Sequence, residues 1–166
     1  MRASALRAPG FMLKTVKQVK IKNSTGRFAI VASTFNGRYV DSMLRAARKV
    51  LREAGVKQIQ IIRVPGAFEV PVVAAKLATV TPPFSAVLCL GVIFRGETTH
   101  AQHIGEAVSL TLARLQIDCQ IPMIHGVYLF ENEAQARTRC LNPKHNRGAE
   151  IAQTALAMAR VMKDLI

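Results

Sequence analysis

The stretch "GVIFRGETTHAQHIGEA", residues 91–107, sets Gly96, Glu97, Thr98, Thr99, His100 and His103 between a hydrophobic run and a helical pattern. Three chemistries compete for these residue types. Glu97 and His100 have the ExxH spacing of carboxylate-bridged metal sites in helix bundles. Such sites need a second ExxH and two further carboxylates, and the sequence offers none; His100 and His103 alone give two ligands and no third. The second chemistry is anion binding. A turn entering a helix through Gly, Thr and Thr presents free backbone N–H groups and hydroxyls, and the helix dipole adds partial positive charge. That suits a single phosphate on a small substrate, since the P-loop and GxGxxG spacings of nucleotide sites are missing. A plain N-cap at Thr98 or Thr99 explains the turn equally well. The third chemistry is proton transfer, because an imidazole at the mouth of a helix titrates near neutral pH. His103, one turn deeper, reads as a packing or surface residue.

Whatever the chemistry, other elements must hold these residues. "RFAIVAST", 27–34, predicts a strand ending in the polar turn "FNGR", and residues 40–54 repeat apolar side chains at helical spacing up to Gly55, a natural helix stop. "IQIIRV" predicts a second strand running into "PGAFEVP", then a short helix over 72–79. "SAVLCLGVIF" is continuously hydrophobic, as a strand buried on both faces of a parallel sheet should be. A helix over 99–117, a strand over 121–129 and two helical segments, 132–140 and 147–164, complete the pattern. Strands and helices alternate, which argues for one α/β domain around a parallel sheet. In such sheets ligands gather at the carboxyl ends of strands. That rule selects Phe35-Asn36, Pro65–Glu69, Phe94–His100 and His125–Phe130.

Composition narrows the function classes. At 166 residues, half of them hydrophobic, the chain can bury a substantial core, yet no apolar run is long enough to span a bilayer. Cys89, Cys119 and Cys140 are odd in number and lack CxxC spacing, which disfavours a disulfide framework or zinc site and favours a reducing compartment. The net charge of +13 first suggests nucleic acid. Residues 1–40, however, hold eight Lys/Arg and no acid, whereas 41–166 hold fifteen against ten. The charge is therefore concentrated in residues 1–40. There Lys14, Lys17, Lys20 and Lys22 alternate loosely with Val16, Val19 and Ile21, as expected of a solvated or edge-strand segment whose lysines discourage unwanted pairing. An anion-binding arm or a short targeting extension before Met12 are the sharper alternatives.

"FAIVASTFN", "VPGAFEVP", "GVIFRGETTH", "GVYLFENEAQARTRC" and "NRGAEIAQTALAM" occur in that order, each at a strand end or in a closing helix. Through them the chain resembles the lumazine synthase family of riboflavin biosynthesis. The resemblance divides it into a basic N-terminal arm, 1–26, and a lumazine synthase domain, 27–166. It implies a flavodoxin-like three-layer αβα sandwich with a four-stranded parallel sheet, to which an N-terminal strand shared with a neighbouring subunit can be added. It also implies the activity: condensation of 5-amino-6-(D-ribitylamino)uracil with 3,4-dihydroxy-2-butanone 4-phosphate to 6,7-dimethyl-8-ribityllumazine, with no metal and no organic cofactor. Family sites lie between adjacent subunits of a pentamer, and the family includes sixty-subunit capsids enclosing riboflavin synthase. The expected setting is the cytoplasm, with small-molecule substrates, no membrane and no nucleic acid.

Carried over position by position, the resemblance makes His100 the general acid/base. Phe35 stacks on the pyrimidine; Ala67, Phe68 and Glu69 bind its edge and the ribityl hydroxyls; Val92, Ile93 and Phe94 line its pocket. Glu97 and Thr98 meet the phosphate through backbone N–H and hydroxyl, while Arg139 clamps it with a planar fork, assisted by Arg147. Four departures from the family pattern stand out. His125 occupies a position, commonly aromatic or Asn, that is given to the neighbour's pyrimidine site. Arg147 replaces a frequent Lys, Tyr128-Leu129-Phe130 replaces a Thr-rich turn, and Thr99 replaces a common proline. His125 and the altered 128–130 turn motivate the alternative reading of a non-catalytic shell or flavin-binding relative.

Overall fold

The computed structural model describes residue 24 and residues 26–165. Four strands form one parallel sheet in the order β2-β1-β3-β4: β1 (Arg27–Ser33), β2 (Gln58–Val64), β3 (Ala86–Phe94) and β4 (Met123–Phe130). Five helices connect or follow them: α1 (Gly37–Glu53), α2 (Val70–Ala78), α3 (His100–Cys119), α4 (Glu133–Ala136) and α5 (Arg147–Asp164). The continuous hydrophobicity of β3 has its predicted cause, since it is an inner strand with every residue but Phe94 buried.

The two faces of the sheet follow the period-two alternation of strand side chains. Phe28, Ile30, Ala32, Leu88, Leu90 and Val92 face α1 and α5, whereas Ala29, Val31, Val87, Cys89 and Ile93 face α2 and α3. Helices cover both faces, which gives the αβα sandwich expected from the sequence. Burial pushes the Cys89 thiol up to about 12, so this cysteine behaves as a small core hydrophobe. On the other side α5 lies so close to α1 that a Cβ at Gly148 would fall on the backbone of Met43. Asn146 holds that contact in place: its Oδ1 accepts from Gly148 N at 2.9 Å, and its Nδ2 donates to the Cys140 carbonyl. Ser42 of α1 donates to the same carbonyl at 2.7 Å.

Several boundaries differ from the sequence reading. Helix α1 starts at Gly37 rather than 40, because Asn36 adopts left-handed backbone (φ 55°) and turns the chain at once from strand to helix. Helix α2 starts two residues early, with Pro71 in its first turn, where a missing N–H costs nothing. The segment 132–140 is a single α-turn followed by a π-helical turn, Arg137–Leu141. Tyr128-Leu129-Phe130, which stand where the family has a Thr-rich turn, finish β4 one residue beyond the expected end, in register with Val92–Phe94. The arm expected over 1–26, and the strand it would lend a neighbour, fall mainly on residues 1–23, outside the described residues. Among the described residues no helix is long and apolar enough to cross a membrane.

Candidate active site

The carboxyl ends of β1, β2 and β3 open into one cavity of about 810 Å³. Its first wall is the loop after β1, which is stitched to the loop after β2: Thr34 N donates to Val64 O at 2.8 Å, and Phe35 N donates to Pro65 O at 3.0 Å. The register of β1 on β3 stops at Ala32–Leu90, leaving the end of β3 without a strand on that side. Asn36 supplies a substitute, its Nδ2 donating to Val92 O at 2.7 Å. Between these anchors Phe35 projects into the opening with 74% of its surface exposed. An aromatic ring held outward at such cost is a platform for a flat ligand rather than a core residue.

The second wall is a 3-10 turn, Ala67–Glu69, leading into α2. Glu69 Oε2 accepts from Gly66 N at 2.9 Å, so this carboxylate closes its own turn and stiffens the edge of the cavity. A Cβ at Gly66 would meet that oxygen at 2.8 Å, so a side chain there would push on the carboxylate that closes the turn. The floor is Val92, Ile93 and Phe94. Tyr39 packs edge-on against Phe94, with ring centroids 5.5 Å apart.

The third wall is the start of α3. Residues 96–99 are exposed and lead into the helix through Thr99, whose side chain makes no cap; Thr98 Oγ1 accepts weakly from His100 N at 3.4 Å. The first turn of α3 holds no acidic residue, so its free N–H groups and dipole keep their attraction for an anion. The plain N-cap explanation of this turn therefore loses ground. His100 lines the cavity, together with Ala101, Ile104 and Ala107. So does His103, which the sequence reading had set aside as a surface or packing residue. Its i, i+3 spacing from His100 was the available indication, since that spacing puts both rings on one helix face. Asn36 and Gly66 stand in loops the rim rule selected and also line the cavity, but the sequence reading assigned them no role of their own; nothing in residue type or spacing announces a side chain that replaces a strand.

Eight of the expected site residues thus meet here: Phe35, Ala67, Phe68, Glu69, Val92, Ile93, Phe94 and His100. Glu97 and Thr98 stand on the exposed turn at the mouth and do not line the cavity. His125, Arg139 and Arg147 lie elsewhere. His125 is exposed on β4, with Nε2 2.9 Å from Ser109 Oγ of α3. Partial burial lowers its pKa below 6.5, with a backbone hydrogen bond pulling weakly the other way. Arg147 pairs with Glu150 and lies 6.0 Å from the Tyr128 ring centre. Burial pushes the Tyr128 phenol up to about 12, while the positive charges of Arg147 and Arg139 pull it down. The two guanidiniums therefore share one neighbourhood around Tyr128, apart from the His100 cavity. Among the described residues no group of three or more His, Cys, Asp or Glu could hold a metal ion, so the ExxH spacing gathers no further ligands.

The family model for 6,7-dimethyl-8-ribityllumazine synthase matches residues 25–163. The chain is similar to a protein of that name from Stenotrophomonas maltophilia (strain R551-3), 38% identical over 143 residues, which span 85% of this chain and 92% of that protein. It is 39% identical over 141 residues to its namesake from Mycobacterium avium (strain 104), spanning 84% and 86% respectively. With the namesake from Thermococcus onnurineus (strain NA1) the identity is 39% over 137 residues, spanning 82% and 89%.

Proposed function

The chain belongs to the 6,7-dimethyl-8-ribityllumazine synthase family, and from that premise we infer which of its residues carry the reaction. The activity is a transferase step of riboflavin biosynthesis. It condenses 5-amino-6-(D-ribitylamino)uracil with 3,4-dihydroxy-2-butanone 4-phosphate, releasing phosphate and water. Imine formation, phosphate elimination, ring closure and dehydration require two reactants held together, an anion pocket and a proton carrier. Phe35 stacks on the pyrimidine, the backbone of Ala67 and Phe68 reads its edge, and Val92–Phe94 keep water from its far side. Glu69 contributes chiefly by fixing that backbone. His100 moves the protons. The phosphate rests on the N–H groups and hydroxyl of the Glu97-Thr98 turn, where a carboxylate side chain must point away.

The observation that carries this reading is the convergence of Phe35, the 67–69 turn and His100 on one apolar cavity. Two further features support a homo-oligomer, a pentamer or an assembly of pentamers. His125, Arg139 and Arg147 do not line the cavity of their own chain, which suits residues given to a neighbour's site. Phe68, Val72, Leu110 and Ile117 are each at least 60% exposed on the 3-10 turn, α2 and α3, an apolar surface of the kind subunits cover. The free thiols Cys89, Cys119 and Cys140 suit a reducing compartment, the cytoplasm. The basic arm is a separate unit dispensable for catalysis, and riboflavin synthase is the expected guest of a capsid.

The test is a two-substrate assay for lumazine absorbance, combined with a mass measurement of the assembly. His100→Ala should slow turnover at least tenfold and leave the oligomer intact, since general acid–base catalysis contributes about 10²–10⁴. Full activity in that variant would remove His100 from the mechanism. An intact wild-type oligomer that makes no product would favour the non-catalytic shell.

A further inference from the structure

The contact between His125 and Ser109 contains more information than its length. Ser109 Oγ has two close neighbours: the Gly105 carbonyl oxygen at 2.7 Å, one turn back along α3, and His125 Nε2 at 2.9 Å on β4. A hydroxyl has one proton to give. A carbonyl has none, so the 2.7 Å contact between two oxygens is a hydrogen bond only if the serine proton lies in it. The remaining contact then needs its proton from the imidazole. The arrangement that satisfies both contacts has His125 carrying hydrogen on Nε2 and donating it to Ser109.

That arrangement implies one tautomer and one ring plane. With Nε2 protonated, the neutral imidazole keeps its lone pair on Nδ1. The donor bond, the strand backbone at one end and α3 at the other hold the ring against rotation about its side-chain bonds. Ser109 is itself immobilised by its bond to Gly105, so it is a fixed acceptor rather than a swinging one. His125 projects from the α3 side of an edge strand and remains exposed beyond this contact, so one ring face is free. Partial burial favours the neutral ring and outweighs a backbone hydrogen bond that favours the charged one.

We propose that Ser109 is a positioning residue for the pyrimidine substrate: it locks His125 as a flat Nε2–H imidazole, ready to stack on the heterocycle in the adjoining subunit's site. This rests on the reading of His125 as a residue given to a neighbour. A neutral, oriented ring offers a π-face to a pyrimidine without the desolvation cost of a cation. Losing the serine frees the ring to turn and to exchange tautomers. The chemistry at His100 is untouched, so the effect falls on binding of one substrate.

The experiment uses the full-length oligomer. Selective ¹⁵N-histidine labelling, with His125→Phe to assign the resonance, reads the tautomer directly: the wild type should show a protonated Nε2 and a bare Nδ1. Ser109→Ala should shift these resonances toward a tautomer mixture and raise KM for the pyrimidine about three- to tenfold, the worth of one orienting hydrogen bond. Its kcat and its KM for the sugar phosphate should change less than twofold. Ser109→Thr, which restores the hydroxyl, should recover both signals. An Nδ1–H imidazole in the wild type, or no change in either readout on Ser109→Ala, would overturn the proposal. His125→Ala separates the two levels: if it too leaves the pyrimidine KM unchanged, the reading of His125 as a site residue fails. If it raises that KM while Ser109→Ala does not, only the role of Ser109 fails.

Discussion

Asn36 joins the fold to the site, and replacing it separates two energies that the structure superposes. Its backbone is left-handed, φ 55° and ψ 36°, and its amide holds the Val92 carbonyl at 2.7 Å where β1 has already ended. Val92 is 3% exposed, so water has little access to that carbonyl once the amide is gone. An unsatisfied buried acceptor costs about 1–3 kcal/mol. Alanine adds the steric cost of left-handed backbone, about 1–2 kcal/mol, which glycine avoids. Asn36→Gly should therefore destabilise by about 1–3 kcal/mol, and Asn36→Ala by about 2–5 kcal/mol. Urea denaturation midpoints at constant m-value give both numbers. Because Phe35 is held between Asn36 and the Pro65 carbonyl, both variants should also raise KM for the pyrimidine. KM for the sugar phosphate should stay near its wild-type value, since the 96–98 turn has no part in that anchor. Equal stability of the alanine and glycine variants would refute the strain argument. Wild-type stability in both would refute the bridging role of the amide altogether.

Arg139→Ala should raise KM for the phosphorylated substrate about tenfold or more, because charge-assisted hydrogen bonds contribute about 1.5–3 kcal/mol; an unchanged KM for that substrate would remove Arg139 from the clamp. Gly148→Ala should destabilise by about 3 kcal/mol, the upper end for overpacking, because the new methyl meets Met43 backbone rather than a movable side chain. A urea midpoint within error of wild type would show that α5 can shift off α1 freely. Lowering the pH below 6.5 should weaken the fold in part through His125. Its folded pKa is depressed, so just below that value the unfolded chain binds more protons and stability drops with pH. Comparing urea midpoints at pH 7 and 5.5 for wild type and His125→Phe checks this: the wild type should lose more, and parallel losses would contradict it.

The parallel sandwich was legible because its determinants are local and redundant. Residues 86–93 are hydrophobic without a break and are buried without a break, and Gly55 sits at φ 90° where the helical pattern stops. The start of α1 was not legible, since Gly37, Arg38 and Tyr39 show no apolar period; a left-handed Asn36 sets the boundary, and backbone handedness leaves no hydrophobic trace. The 132–140 segment misled for a related reason. Its residues favour helix, but winding Arg137–Leu141 as a π-turn points Ala136 and Cys140 into the core together and gives the Cys140 carbonyl to Ser42 and Asn146. Such tertiary competition for a helix ladder is invisible to periodicity.

The site divides along the same line. Phe35, the 67–69 turn, Val92–Phe94 and His100 could be grouped from sequence because a parallel sheet delivers every strand's carboxyl end to one rim. Their convergence needs only the strand order. His125, Arg139 and Arg147 obey no such rule within one chain: His125 sits partway along an edge strand, and the two arginines gather around Tyr128. The rim rule took in His125 only as the start of the 125–130 stretch, and Arg139 and Arg147 came from the family resemblance alone. That asymmetry is itself informative about assembly. A cavity that holds the proton carrier and the aromatic platform, but neither guanidinium, has among the described residues no strong cation in its lining for a phosphate. The surface beside it exposes Phe68, Val72, Leu110 and Ile117. Covering that surface with a second copy would address both deficits in one contact. Dissociation of the proposed pentamer should therefore cost activity before it costs the fold, with lumazine formation falling while far-ultraviolet circular dichroism is retained. Undiminished turnover by isolated subunits would show that each chain binds its phosphate alone.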